Sequence, residues 1–198
     1  VYDLHSKTDM SNCVFTNNQA GDNASALYYT LNTSKPKVTN TTFFGNIKSA
    51  TYHYSGSQGE FYNCVFFNNS GTDVSSINSN SSNNACDESN SLLKTSANNF
   101  TDISGASAND LFVNTADLDG ADGIWMTADD GLNLKSNSVL VSVGDASSAP
   151  AKDILGQTRL NTPSIGCYEY VTKISNGALL TNTLRELTIT STESAGNT

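Results

Sequence analysis

The chain has 198 residues with 10 Lys+Arg against 19 Asp+Glu, a formal net charge of −9. So few and scattered basic residues exclude a nucleic-acid partner, and no apolar run approaches the roughly 20 residues of a transmembrane segment. Asn, Ser and Thr number 25, 27 and 22; they disfavour helix interiors and favour turns and strands, which predicts an extended, turn-rich all-β protein.

Along the chain, three segments align as N-x-x-F-x-x-N: residues 12–18 around Phe15, 40–46 around Phe43, and 63–69 around Phe66. A second matched strand lies between them, with Ala26-Leu27-Tyr28 and Ala50-Thr51-Tyr52 spaced by 24 residues and Val74-Ser75-Ser76 a further 24 on. A period near 24 with short strands and Asn-rich turns fits one coil of a right-handed parallel β-helix, a solenoid whose coils stack about 4.8 Å apart. The longer first interval assigns extra loop residues to positions 19–23 and to the Ser34-Lys35-Pro36-Lys37 turn.

In such a stack, equivalent side chains form columns. Phe15, Phe43 and Phe66 are expected as an interior aromatic stack, Cys13, Thr41 and Cys64 as a column of small residues, and Asn18, Asn46 and Asn69 as a ladder at a turn. Two coils of separation, about 9 to 10 Å, is too far for a Cys13–Cys64 disulfide. Pairing of Cys86 with Cys167 is left open by the sequence. Domain organisation reads as β-helix coils over 1–77, continuing from coils before them; an Asn/Ser-rich loop or irregular coil over 78–107; and an irregular C-terminal cap over 108–170, opening with a short strand at 108–113. A strand and linker toward an absent domain occupy 171–198.

The stretch Asp117-Leu118-Asp119-Gly120-Ala121-Asp122-Gly123-Ile124-Trp125-Met126-Thr127-Ala128-Asp129-Asp130-Gly131 sets five carboxylates among three glycines, with no basic residue between Asp102 and Gly131. It is not an EF-hand: Ala121 and Ala128 stand at positions 5 and 12 of that loop. Unneutralised, the acids repel one another, so Asp117, Asp119, Asp122, Asp129 and Asp130 are the candidate ligands of Ca²⁺, which takes six to eight hard oxygens. The bland alternative is a pair of solvated Asp-Gly turns.

This stretch, together with Leu111-Phe112-Val113, Asp153-Ile154-Leu155-Gly156-Gln157-Thr158-Arg159 and Ser164-Ile165-Gly166-Cys167-Tyr168-Glu169-Tyr170, resembles the closing segment of large bacterial secreted parallel β-helix proteins with a choice-of-anchor ending. The coils are similar to polymorphic outer-membrane-protein repeats. Cys167 departs from the usual Ala, and Val141-Ser142-Val143-Gly144 lacks an acid that the family carries. The resemblance implies an extracellular or cell-surface location in bacteria and a stalk, adhesin or filament role. It also implies contacts to glycans or to neighbouring subunits, including homo-oligomeric, end-to-end assembly.

The alternative is a polysaccharide lyase, hydrolase or epimerase of the β-helix class. Such sites cluster carboxylates with Arg, Lys or His, whereas no Arg precedes Arg159 and the Gly-His-Gly and Arg-Ile-Lys motifs of polygalacturonase-like enzymes are missing. No catalytic residue is assigned. His53, between Tyr52 and Tyr54, is expected as an exposed or stacking strand residue, and Arg159 as the partner of Asp153 or Glu169.

Overall fold

The computed structural model describes residues 1–4, 7–30, 35–54, 56–88, 92–96, 99–173 and 179–180. The remainder of the 171–198 tail lies outside them. The first nine strands are β1 (Tyr2–Leu4), β2 (Asp9–Ser11), β3 (Val14–Thr16), β4 (Gln19–Thr30), β5 (Lys37–Thr39), β6 (Thr42–Phe44), β7 (Ile47–Tyr54), β8 (Glu60–Tyr62) and β9 (Val65–Phe67). After them come β10 (Ala85–Cys86), α1 (Leu92–Ser96), β11 (Thr101–Asp102), α2 (Ala108–Leu111), β12 (Thr172–Lys173) and β13 (Leu179–Leu180). No helix among the described residues is long and apolar enough to cross a membrane.

The chain is sheet-rich, and its three main sheets are parallel. Their strand orders are β1-β4-β7, β2-β5-β8 and β3-β6-β9-β10-β11. Successive strands visit the sheets in rotation: β2, β3, β4, then β5, β6, β7. Parallel neighbours cannot be joined by a tight hairpin, so each circuit must travel around before returning to the same sheet.

The registers match the sequence columns. Phe15 pairs with Phe43 and Phe43 with Phe66; their rings stack at centroid distances of 5.1 and 4.6 Å with interplanar angles of 8° and 3°. Tyr28 pairs with Tyr52 at the expected spacing of 24, but Val74 bridges to Thr51 and not to Ala50, one residue short of that spacing. The longer first interval is absorbed inside β4 itself, where Gln19 to Ala24 runs opposite Ile47 to Ser49 with shifts of register. These are bulges in a strand, where the sequence pointed to loop residues.

Each turn has its own conformational reason. Asn12, Asn40, Asn63, Asn83 and Asn99 all have positive φ, between 44° and 54°, and Asn tolerates this region better than most residues. The ladder expected at the other corner is present. Asn18 Nδ2 donates to Asn46 Oδ1 and Asn46 Nδ2 to Asn69 Oδ1, each at 2.9 Å. Asn69 Nδ2 then donates to Asp73 Oδ1 at 2.8 Å. It is the residues just before the ladder, Asn17, Gly45 and Asn68, that take the positive φ here.

Repetition continues beyond residue 77. Ile77 bridges to Gly59, Ser82 to Tyr62, and β10 extends the third sheet from β9. The described residues of 78–107 thus extend the same sheets, and Leu93 is buried in the cluster that holds Phe66 and Cys86. The expected strand at 108–113 is instead the helical turn α2, because Asp110 Oδ2 accepts hydrogen bonds from the Ser107 N–H (2.8 Å) and hydroxyl (2.7 Å), a local N-terminal cap.

Two apolar clusters form. One, inside the sheets, contains Leu27, Tyr29, Val38, Phe43, Phe61 and Phe66. The other lies on the opposite face of the third sheet, where Phe44, Val65, Phe67 and Ala85 meet Leu111, Phe112, Leu132, Leu140, Ile165 and Tyr168. The 108–170 segment therefore packs along the side of the third sheet, and β6 and β9 are buried on both faces. A continuous apolar triplet such as Val65-Phe66-Phe67 suits such a strand.

Candidate cation site

The Asp loop hangs from a fixed base. Phe112 bridges to Leu134, the Val113 N–H donates to the Asn133 carbonyl at 2.9 Å, and the Asn114 N–H to the Gly131 carbonyl at 2.9 Å. Leu111, Phe112, Leu132 and Leu134 anchor that base in the outer cluster. Gly131 is obligatory there, since a Cβ would lie 1.9 Å from the Asn114 carbonyl oxygen. At Gly120, φ is +71° and a Cβ would meet the Asp129 carboxylate at 2.7 Å.

Three of the five acids gather on one hydroxyl. Thr127 Oγ1 lies 2.7 Å from Asp129 Oδ1, 3.3 Å from Asp130 Oδ1 and 3.5 Å from Asp122 Oδ1, and 3.0 Å from the Ile124 carbonyl oxygen. A hydroxyl has a single proton, so it can satisfy one of these four acceptors at a time. The Thr127 hydroxyl, first among the causes, holds the Asp129 carboxyl below its ordinary range. Asp130 is buried, and its Oδ2 accepts from the Met126 N–H at 2.8 Å and from the Tyr168 hydroxyl. Burial pushes the Tyr168 phenol upward, reinforced by the nearby acids. Asp117 is exposed and Asp119 half-buried, and neither side chain joins the Thr127 contacts.

A second acidic group was not legible in the sequence. Asp73, Cys86 and Asp87 bring their ligand atoms within 4.8 Å of one another, the group among the described residues that meets this distance. Cys86 Sγ donates to Asp73 Oδ2 at 3.0 Å, the Asn68 N–H donates to Asp87 Oδ2 at 2.7 Å, and the Asp73 N–H donates to Glu88 Oε2 at 2.9 Å. Burial pushes the Asp73 carboxyl up to about 7. A thiol among carboxylates is not the hard-oxygen set that calcium prefers. The available signal was register: Cys86 occupies the Phe66 column one coil on.

The other expected groups are placed as follows. Arg159 pairs with Glu169, Nη1 to Oε2 at 3.2 Å, and donates through Nη2 to Asn12 Oδ1 (2.8 Å) and to the Gly166 and Cys167 carbonyls (3.1 Å each). His53 is buried and stacks on Tyr29 at 4.9 Å, with neither ring nitrogen hydrogen-bonded. None of the four cysteines is in a disulfide, so Cys86 and Cys167 do not pair. Burial pushes the Cys64 and Cys167 thiols each up to about 12.

The corner asparagines reach across to the C-terminal segment. Asn12 Nδ2 donates to the Lys152 carbonyl (2.8 Å), Asn40 to those of Ser164 and Gly166 (3.1 Å each), Asn63 to that of Asp145 (2.9 Å) and Asn83 to that of Val143 (3.2 Å). One strap of backbone is thereby bonded to four successive corner asparagines of the parallel stack. In comparisons with known proteins, no family model and no curated protein sequence matches this chain.

Proposed function

We propose that the chain is a non-catalytic module of a secreted or cell-surface adhesin, stalk or filament-type protein in bacteria, built as a right-handed parallel β-helix and stabilised by calcium at the Asp loop. The observation that carries this reading is the rotation of successive strands through three parallel sheets with in-register aromatic and Asn columns. Parallel crossover connections are right-handed in nearly every known case. Groups that chemistry would need are held by the scaffold: His53 lies in the core, and the Arg159 Nη1 and Nη2 atoms are engaged by Glu169 and carbonyls. Extended arrays of this kind offer long faces to glycans or to neighbouring subunits.

Calcium suits the donors at the loop, which are all hard oxygens: Asp122, Asp129, Asp130, the Thr127 hydroxyl and the Ile124 carbonyl, with Asp117 and Asp119 adding negative field. A divalent cation there would relieve the repulsion that one shared hydroxyl leaves between three carboxylates. At a hundred times its dissociation constant a ligand stabilises by about 2.7 kcal/mol, and a chain of this size gains roughly 2 to 4 °C per kcal/mol. Thermal unfolding with chelator and then with added Ca²⁺ tests this: the midpoint should fall and recover, and Asp129→Asn should abolish the difference. An unmoved midpoint makes the acids ordinary turn residues. Lyase, hydrolase or epimerase activity on a polysaccharide panel, lost on a single Asp substitution, would overturn the non-catalytic reading.

A further inference from the structure

We propose that the cavity beside the Asp loop binds an uncharged sugar ring, an inference that rests on the surface-module reading and adds to it a ligand class and a place of contact. The cavity has a volume of about 650 Å³ and opens between the loop and the 154–171 segment, within the roughly 300 to 1,000 Å³ typical of small-ligand sites. Val113, Met126 and Leu155 supply apolar walls, while Asn133, Gln157 and Tyr170 supply polar groups.

Those polar groups are neutral and available. Asn133 Nδ2 is committed to the Asp130 carbonyl at 2.8 Å, which leaves its Oδ1 as an acceptor. Gln157 uses its backbone N–H toward Asp153 Oδ1 and its carbonyl toward the Asp153 N–H. Among the described residues its side-chain amide has no hydrogen-bond partner, and the same holds for the Tyr170 hydroxyl. The carboxylate on the lining, Glu169, is turned away into Arg159 and Ser164. The five acids of the adjacent loop outnumber the two charges of one divalent cation, so an anionic ligand is repelled. A phenol ring, apolar walls, the Gln157 amide and the Asn133 carbonyl oxygen, with no cationic side chain on the lining, match the apolar C–H face and hydroxyl rim of a neutral sugar.

Met126 indicates that the apolar wall is held in place by the loop. It is 63% exposed and has φ +69°, a conformation that costs a non-glycine residue about 1 to 2 kcal/mol. Its N–H is bonded to the buried Asp130 carboxylate, which the Tyr168 hydroxyl also engages. An exposed apolar side chain kept in a strained conformation by a buried carboxylate is the kind of outlier from which a functional hypothesis properly starts.

The chain's single tryptophan, Trp125, adjoins Met126 and is 37% exposed, so its fluorescence reports on the site. Calorimetry and Trp125 fluorescence with cellopentaose, mannopentaose and chitopentaose, against pentagalacturonate, test the proposal. At least one neutral oligosaccharide should bind saturably and pentagalacturonate should not. Tyr170→Ala and Gln157→Ala should each weaken binding about tenfold, the equivalent of about 1.4 kcal/mol; the Gln157 variant should keep its thermal midpoint, while the Tyr170 variant, whose ring also packs on the outer cluster, is read at a temperature where it stays folded. Tyr54→Ala, on β7 of the first sheet, should leave binding unchanged. Failure of every neutral sugar to bind, or equal binding of pentagalacturonate, overturns the proposal. Full binding retained in both cavity variants also overturns it, while leaving glycan contact elsewhere on the surface intact.

Discussion

Acid and base act on the interior of this chain in opposite directions. His53 is 8% exposed, and burial pushes its pKa from 6.5 down to about 4. The residues packed on it, Tyr29, Phe61 and Gly59, bring no charge. Between those two pH values the unfolded chain binds the proton and the folded chain does not. Stability from this group is therefore full above pH 6.5 and lost as pH falls toward 4, by roughly 3 kcal/mol at about 1.4 kcal/mol per unit. Asp73, 1% exposed, runs the other way, since burial pushes its carboxyl from 3.8 up to about 7. The folded chain keeps a proton that the unfolded chain releases, so stability is full below pH 3.8 and lost as pH rises through 7, by roughly 4 kcal/mol. From pH 4 to 6.5 these two slopes nearly cancel in the wild type. His53→Phe, which keeps an aromatic ring in the stack, should make stability fall with rising pH by about 1.4 kcal/mol per unit relative to the wild type. Asp73→Asn, which can still accept from Asn69, should make it rise by a similar amount. Urea unfolding followed by circular dichroism at half-unit steps measures both. Variant curves that run parallel to the wild-type curve would refute the reasoning.

Phe43 has a ring on each side and is fully buried, so Phe43→Ala should cost about 3 to 5 kcal/mol in urea unfolding. Phe15, half-buried with one stacked neighbour, should cost less. Asn46 accepts from the Asn18 N–H and Nδ2 and donates to Asn69 Oδ1 and the Phe15 carbonyl. Asn46→Ala should therefore cost about 2 to 4 kcal/mol, and more than Asn18→Ala at the end of the ladder, compared by thermal unfolding.

The columns were legible because a parallel stack repeats one residue's surroundings in each row, so Phe15, Phe43 and Phe66 announce one another through the shared N-x-x-F-x-x-N pattern although their spacings are 28 and 23. The fourth and fifth rows were not. Cys86 and then Asp102 stand in the Phe column there, and register in that region is kept by corner asparagines, Asn83 and Asn99, which an Asn-rich stretch conceals. The side-on position of the 108–170 segment had a signal that went unread. Phe44 and Phe67 put large apolar side chains at the position where the equivalent residue of the first strand is Thr16, and only a strand covered on both faces favours that. At the Asp loop the sequence identified the acids. It gave no sign that Thr127 would collect three of them while Asp117 and Asp119 stood apart, because that division depends on which turns the glycines permit.

The strap bonded to Asn12, Asn40, Asn63 and Asn83 changes how such an array comes apart. In a simple repeat protein each unit touches only its neighbours, so ends can fray one unit at a time. Here the backbone of residues 143–166 is tied to four successive corners of the stack, so releasing any one corner also breaks its bonds to the strap, at a net cost of about 0.5 to 1.5 kcal/mol per hydrogen bond. Local opening is thereby made costlier, and the stack more cooperative, than contacts between neighbouring strands alone would make it.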